Sequence, residues 1–102
     1  MTEPGCSVVV SPSVDGVVVS IGGDFDLGAV GDVTAAIRPH LGTNIVVDLD
    51  EVGFMDSSSL HCLLRLHAEA ADRGQRLRVG KVSPVVARLF ELSGVADLLR
   101  DA

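Results

Sequence analysis

The chain has 102 residues, 47% of them hydrophobic, which suits one domain with a single core and a chain that folds rather than stays disordered. Fourteen acidic residues against eight basic give a net charge of −6, an argument against nucleic acid as a partner, and the three aromatics, all Phe, supply no base-stacking platform. Uninterrupted apolar runs of a few residues exclude a membrane-spanning helix, and Met1-Thr2-Glu3-Pro4-Gly5 has neither region of a signal peptide, so a cytoplasmic location is expected.

In chain order, Val8-Val9-Val10 and Val17-Val18-Val19-Ser20-Ile21 flank Asp15-Gly16 and predict an N-terminal hairpin. Apolar residues at 27, 30, 33, 37 and 41 predict a helix from Leu27, weakened by Gly28 and Gly31 and ended near Arg38 by Pro39. Residues 45–49 read as a short buried strand, and 50–55 as a loop. A second helix is predicted from about Ser57 to Arg73, stopped by Gly74, and residues 77–79 form another strand. Ser83 as N-cap and Pro84 at the first helical position open a third helix, which closes at Ser93-Gly94. Whether Asp97-Leu98-Leu99-Arg100 forms a closing helix stays open.

This alternation predicts an α/β fold spanning 1–102 as one domain. Its sheet is small, mixed and mostly parallel, with an N-terminal antiparallel edge strand and helices packed on it. Parallel strands at 17–21, 45–49 and 77–79 send segments 22–26, 50–58 and 80–84 to one sheet edge, where sites of open α/β sheets lie.

Asp56-Ser57-Ser58-Ser59 falls at that edge, at a helix N-terminus whose free amides and dipole favour negative charge. At about 100° per residue, Leu60, Leu63, Leu64, His67, Ala70 and Ala71 share one apolar face. Ser58, Cys62, Arg65 and Glu69 fall opposite, which selects Ser58 as the most exposed of the three serines, with Ser57 as a cap. Leu66 falls on the flank near the exposed side, and His67 reads as a satisfied, partly buried histidine. Cys6 and Cys62 form neither a disulfide framework nor a zinc spacing. Gly22-Gly23-Asp24 lacks the Gly-Lys-Ser/Thr of a phosphate-binding loop, so no cofactor is expected. An Asp56, Ser58, His61 triad would sit on one local segment without a nucleophile elbow or oxyanion hole, so an enzyme is not expected.

Phe54-Met55-Asp56-Ser57-Ser58, then a small residue and Leu60, resembles the signature of STAS domains, particularly bacterial anti-sigma factor antagonists. Gly23-Asp24-Phe25-Asp26 resembles the family's Gly-Glu-Leu-Asp, and residues 83–94 are similar to its Ser-Pro, Leu-Phe and Ser-Gly segment. Ser59, where the family usually has Gly or another small residue, is a departure.

The resemblance implies a stress-response regulator of transcription. Its unphosphorylated form binds an anti-sigma factor with serine kinase activity and thereby frees the sigma factor. Phosphorylation at Ser58, the second residue after the Asp, ends that binding, and a phosphatase restores it. Partner contacts are expected from Asp24, Asp26, Asp56, Ser57, Ser59, Cys62 and Arg65. The alternative within the fold is a non-switching scaffold subunit of a stress-signalling or transporter-associated complex.

Overall fold

A computed structural model describes residues 5–100. Two strands open the chain, β1 (Cys6–Ser13) and β2 (Gly16–Phe25), followed by a 3-10 turn, Leu27–Ala29, and helix α1 (Val30–Ile37). A second 3-10 turn, Arg38–His40, leads to β3 (Asn44–Met55) and α2 (Ser57–Asp72). The remaining elements are β4 (Leu77–Val82), α3 (Pro84–Ser93) and α4 (Ala96–Arg100). The sheet order is β1-β2-β3-β4; β1 pairs antiparallel with β2, while β2, β3 and β4 run parallel, as predicted.

Strand alternation gives the sheet one covered face. Val19, Ile21, Ile45, Val47, Leu49, Leu77 and Val79 are buried, whereas Ser20 and Arg78 are exposed and Val46 and Asp48 half-buried. From the helices, Val33, Ile37, Leu63, Leu66, Val86 and Phe90 complete the same core. The short α4 settles the open question at the C-terminus: Leu99 is fully buried and seals that end.

Two boundaries differ from the predicted ones. Strand β3 continues through 50–55, because this stretch pairs in parallel with β2, Glu51 with Gly22 after one register shift and Phe54 with Asp24 after a second. The predicted first helix divides into a 3-10 turn, α1 and a second 3-10 turn around Pro39, whose ring and missing N–H break the regular ladder.

Each parallel strand hands over to the helical segment that follows it, a 3-10 turn after β2 and an α-helix after β3 and β4, by the same device. Asp26 accepts the Ala29 amide at 3.2 Å, Asp56 the Ser59 amide at 3.1 Å, and Ser83 the Val86 amide at 3.4 Å. All three caps therefore stand at one sheet edge. Gly23 closes the approach to that edge with φ of +83°; a Cβ there would collide with the Gly5 carbonyl oxygen.

Candidate functional site

The start of α2 is built around a reciprocal capping box. Besides accepting the Ser59 amide, Asp56 donates its own backbone N–H to Ser59 Oγ at 3.0 Å. The Ser59 hydroxyl donates in turn toward Asp56, whose carbonyl oxygen lies at 2.9 Å and Oδ1 at 3.1 Å. Ser59 is fully buried, so the departure from the family pattern is a structural side chain and offers no contact surface. Capping, expected of Ser57, belongs to Asp56 and Ser59.

Ser57 is exposed and Ser58 half-buried, and neither hydroxyl hydrogen-bonds to another group among the described residues. Their amides lie in the first turn, where no intrahelical acceptor exists, and Ser59 alone of the three has its amide taken by the box. Two hydroxyls and two free first-turn N–H groups thus converge at the positive end of a 16-residue helix.

The exposed side of α2 differs from the predicted one. Ser57, His61 and Arg65 are exposed, whereas Cys62 is fully buried and Leu66 is 1% exposed. Helix α2 packs against α1 as well as the sheet, so its buried arc is rotated by roughly 60° toward Ser59, Leu66 and Ala70. Cys62 faces α1, its Sγ 3.4 Å from Thr34 Oγ1, which removes it from the contact surface. The rotation also corrects the ranking of the serines, since Ser57 is more exposed than Ser58. Arg65 keeps its expected place, and Glu69, half-buried, accepts from Arg38 at 2.9 Å and ties α2 to the end of α1. His67 is half-buried, with Nδ1 2.8 Å from the Leu77 carbonyl oxygen, as expected of a satisfied histidine; that acceptor requires the proton on Nδ1.

Beside α2 the edge is acidic. Asp24 and Asp26, both half-buried, line a shallow hollow with Cys6, Gly28 and Asp32. Burial pushes the Cys6 thiol up from its ordinary pKa, and Asp26, Asp32 and Asp24 add to the rise by opposing a thiolate. The Asp26 carboxylate is engaged as a cap, and Asp24 donates its amide to the Gly5 carbonyl. Two apolar side chains border these acids, Leu27 at 69% exposure and Phe54 at 47%, and sequence reading marked neither as a surface side chain. The alternation of β2 and β3 could have found Phe54 had 50–55 been read as strand. Oδ1 of Asp56 is engaged by Ser59, and no hydrogen bond joins Asp56, Ser58 and His61 among the described residues.

A family model described as "Mlab, STAS domain" matches residues 8–100, and the chain belongs to the STAS-domain family. A STAS-domain-containing protein of Pseudomonas aeruginosa is 31% identical over 101 residues, covering 92% of this chain and 97% of that protein. An anti-sigma-B factor antagonist of Staphylococcus aureus is 31% identical over 84 residues, covering 79% of this chain and 78% of that one. Among solved structures, the anti-sigma factor antagonist SpoIIAA in its unphosphorylated form superposes with a TM-score of 0.78 at 25% identity, covering 94% of this chain and 88% of that one. The phosphorylated form of SpoIIAA, a Bacillus cell fate determinant, gives 0.73 at 25% identity, over 94% of this chain and 91% of that one. The class is that of STAS domains, and anti-sigma factor antagonists are among the relatives.

Proposed function

We propose that the chain, as one STAS domain over residues 1–102, is an anti-sigma factor antagonist of the bacterial cytoplasm. In this reading its unphosphorylated form binds an anti-sigma factor with serine kinase activity, which then modifies Ser58 and is released. A phosphatase returns the protein to its binding form. The observation that carries the reading is the division of labour among the serines. Ser59 is consumed by the capping box, while the Ser57 and Ser58 hydroxyls are left unengaged beside first-turn amides.

Choice between those two serines rests on the family pattern, in which the target is the second residue after the Asp, and not on exposure. A phosphate on Ser58 adds about −1.5 to −2 charge next to the helix N-terminus, which tolerates it without refolding. The same charge, at the sheet edge that also carries Asp24, deepens a negative field and repels an acidic rim on the partner. Asp24, Ser57 and Arg65, with the cap Asp56 and Asp26 behind them, make the contact surface of this reading. Relatives named as antagonists support a regulatory binding role over catalysis.

The test is incubation of the purified chain with ATP and the kinase-fold anti-sigma factor retrieved with it from its own cytosol, followed by peptide mass spectrometry. One phosphate on Ser58, absent in Ser58→Ala, is the expected result. Stable binding without any added phosphate would favour the non-switching scaffold.

A further inference from the structure

We propose that β1 is a pairing edge for a second copy of this chain, joined antiparallel across a twofold axis into one continuous eight-stranded sheet. This goes beyond the switch at α2, since β1 lies two strands away from β3. The outer side of β1 pairs with no strand among the described residues, and its orientation follows from one hydrogen bond. Asp24 donates its amide to the Gly5 carbonyl at 3.0 Å, so Gly5 turns its backbone groups inward to β2. Antiparallel alternation, in the unbroken register from Cys6–Gly23 to Ser13–Gly16, then turns Ser7, Val9 and Ser11 inward. Cys6, Val8, Val10 and Pro12 face outward. Pro12 sits where its missing N–H costs the β1–β2 ladder nothing.

The two edges of the sheet are treated differently. β4 carries Arg78 and Lys81, the kind of charge that discourages pairing. β1 carries none: residues 5–14 hold no acidic or basic side chain, and Val9 is 56% exposed. In a chain of net charge −6 that strip has no charge of its own and meets acids of the neighbouring hollow only at its Cys6 end, so a second acidic copy can approach along it at low electrostatic cost. Centred on Val8, twofold pairing sets Cys6 against Val10 of the other copy and Val8 against Val8. The three outward N–H and three outward C=O groups of each strand are then all matched, and Pro12 is left outside. Val9 falls beside the other copy's Ser7 on the open face of the sheet. A single strand edge buries little area, so the dimer is weak and concentration-dependent.

Sedimentation equilibrium of the full chain, up to about 1 mM, should show the mass rising toward twice the monomer value and no further. Val9→Lys, which brings two like charges near the axis, and Val10→Pro, which removes an outward N–H that β2 does not use, should each weaken association by about tenfold or more. Amide exchange on the wild type reads the geometry without any substitution. Protection at Cys6, Val8 and Val10 should grow with concentration, while Ser7, Val9 and Ser11 stay protected throughout. A monomer at every concentration, an open-ended polymer, a dimer that neither variant weakens, or outward amides whose exchange ignores concentration would each overturn the proposal.

Discussion

Asp56 and Ser59 exchange their backbone amides for each other's side-chain oxygens, at 3.1 Å and 3.0 Å. Because Ser59 is also fully buried, this pair fixes where α2 begins and which way its first turn faces. Ser59→Ala should cost about 1–2 kcal/mol of stability, read as a lower urea midpoint with unchanged slope. An unshifted midpoint would mean that the box contributes nothing.

Ser58→Ala should bind the kinase-fold partner like the wild type and accept no phosphate. Ser58→Asp should bind at least about tenfold more weakly. Ser57→Ala should remain fully phosphorylatable despite the greater exposure of Ser57. Loss of phosphate in Ser57→Ala with retention in Ser58→Ala would reassign the target.

Cys62 is sealed between α2 and α1, so a thiol reagent should titrate Cys6 and leave Cys62 unreacted in the native protein. In denaturant both should react. Rapid native labelling of Cys62, located by peptide mapping, would contradict the packing of α1 on α2.

Cys6 has its pKa raised by burial, with Asp26, Asp32 and Asp24 opposing the thiolate. The folded protein therefore holds this proton more tightly than the unfolded chain. The resulting stability is fully present below the ordinary thiol range and fades as pH rises through the higher folded value. Alkylation of Cys6 should accordingly need a more alkaline pH than a free thiol, and Asp26→Asn should shift that profile back down. A profile identical to that of free cysteine would remove the acidic hollow as its cause.

Gly23→Ala should be costly, on the order of 1–3 kcal/mol, since φ is +83° and the new methyl group meets the Gly5 carbonyl. Thermal unfolding measures it directly. Gly31→Ala, whose added methyl group would stand in open space, serves as the tolerant control.

Much of the fold was legible because local chemistry and global architecture agree. Ser83-Pro84, Gly74 and Gly94 mark helix ends in sequence and stand at helix ends in space, the two glycines with φ of +73° and +71°. The tail of β3 was not legible, since Asp50, Glu51 and Gly53 read as loop until β2 supplies the partner strand. Nor was the face of α2. A helical wheel supposes burial from one direction, and α1 supplies a second, which takes in Cys62 and Leu66. The edge position of the serines was legible from topology; the commitment of Ser59 to Asp56 needed the three-dimensional structure.

Ser83 has a further consequence. Its hydroxyl donates to the Val52 carbonyl at 2.6 Å while accepting the Val86 amide, so the last stretch of β3 is clamped to the start of α3. That stretch leads directly into Asp56, which is clamped on its other side by Ser59. The peptide presenting Ser57 and Ser58 is held at both ends like a taut string. A kinase would meet it preformed, with little ordering entropy to lose on docking, and a phosphate there would be read as added charge on an unmoved backbone.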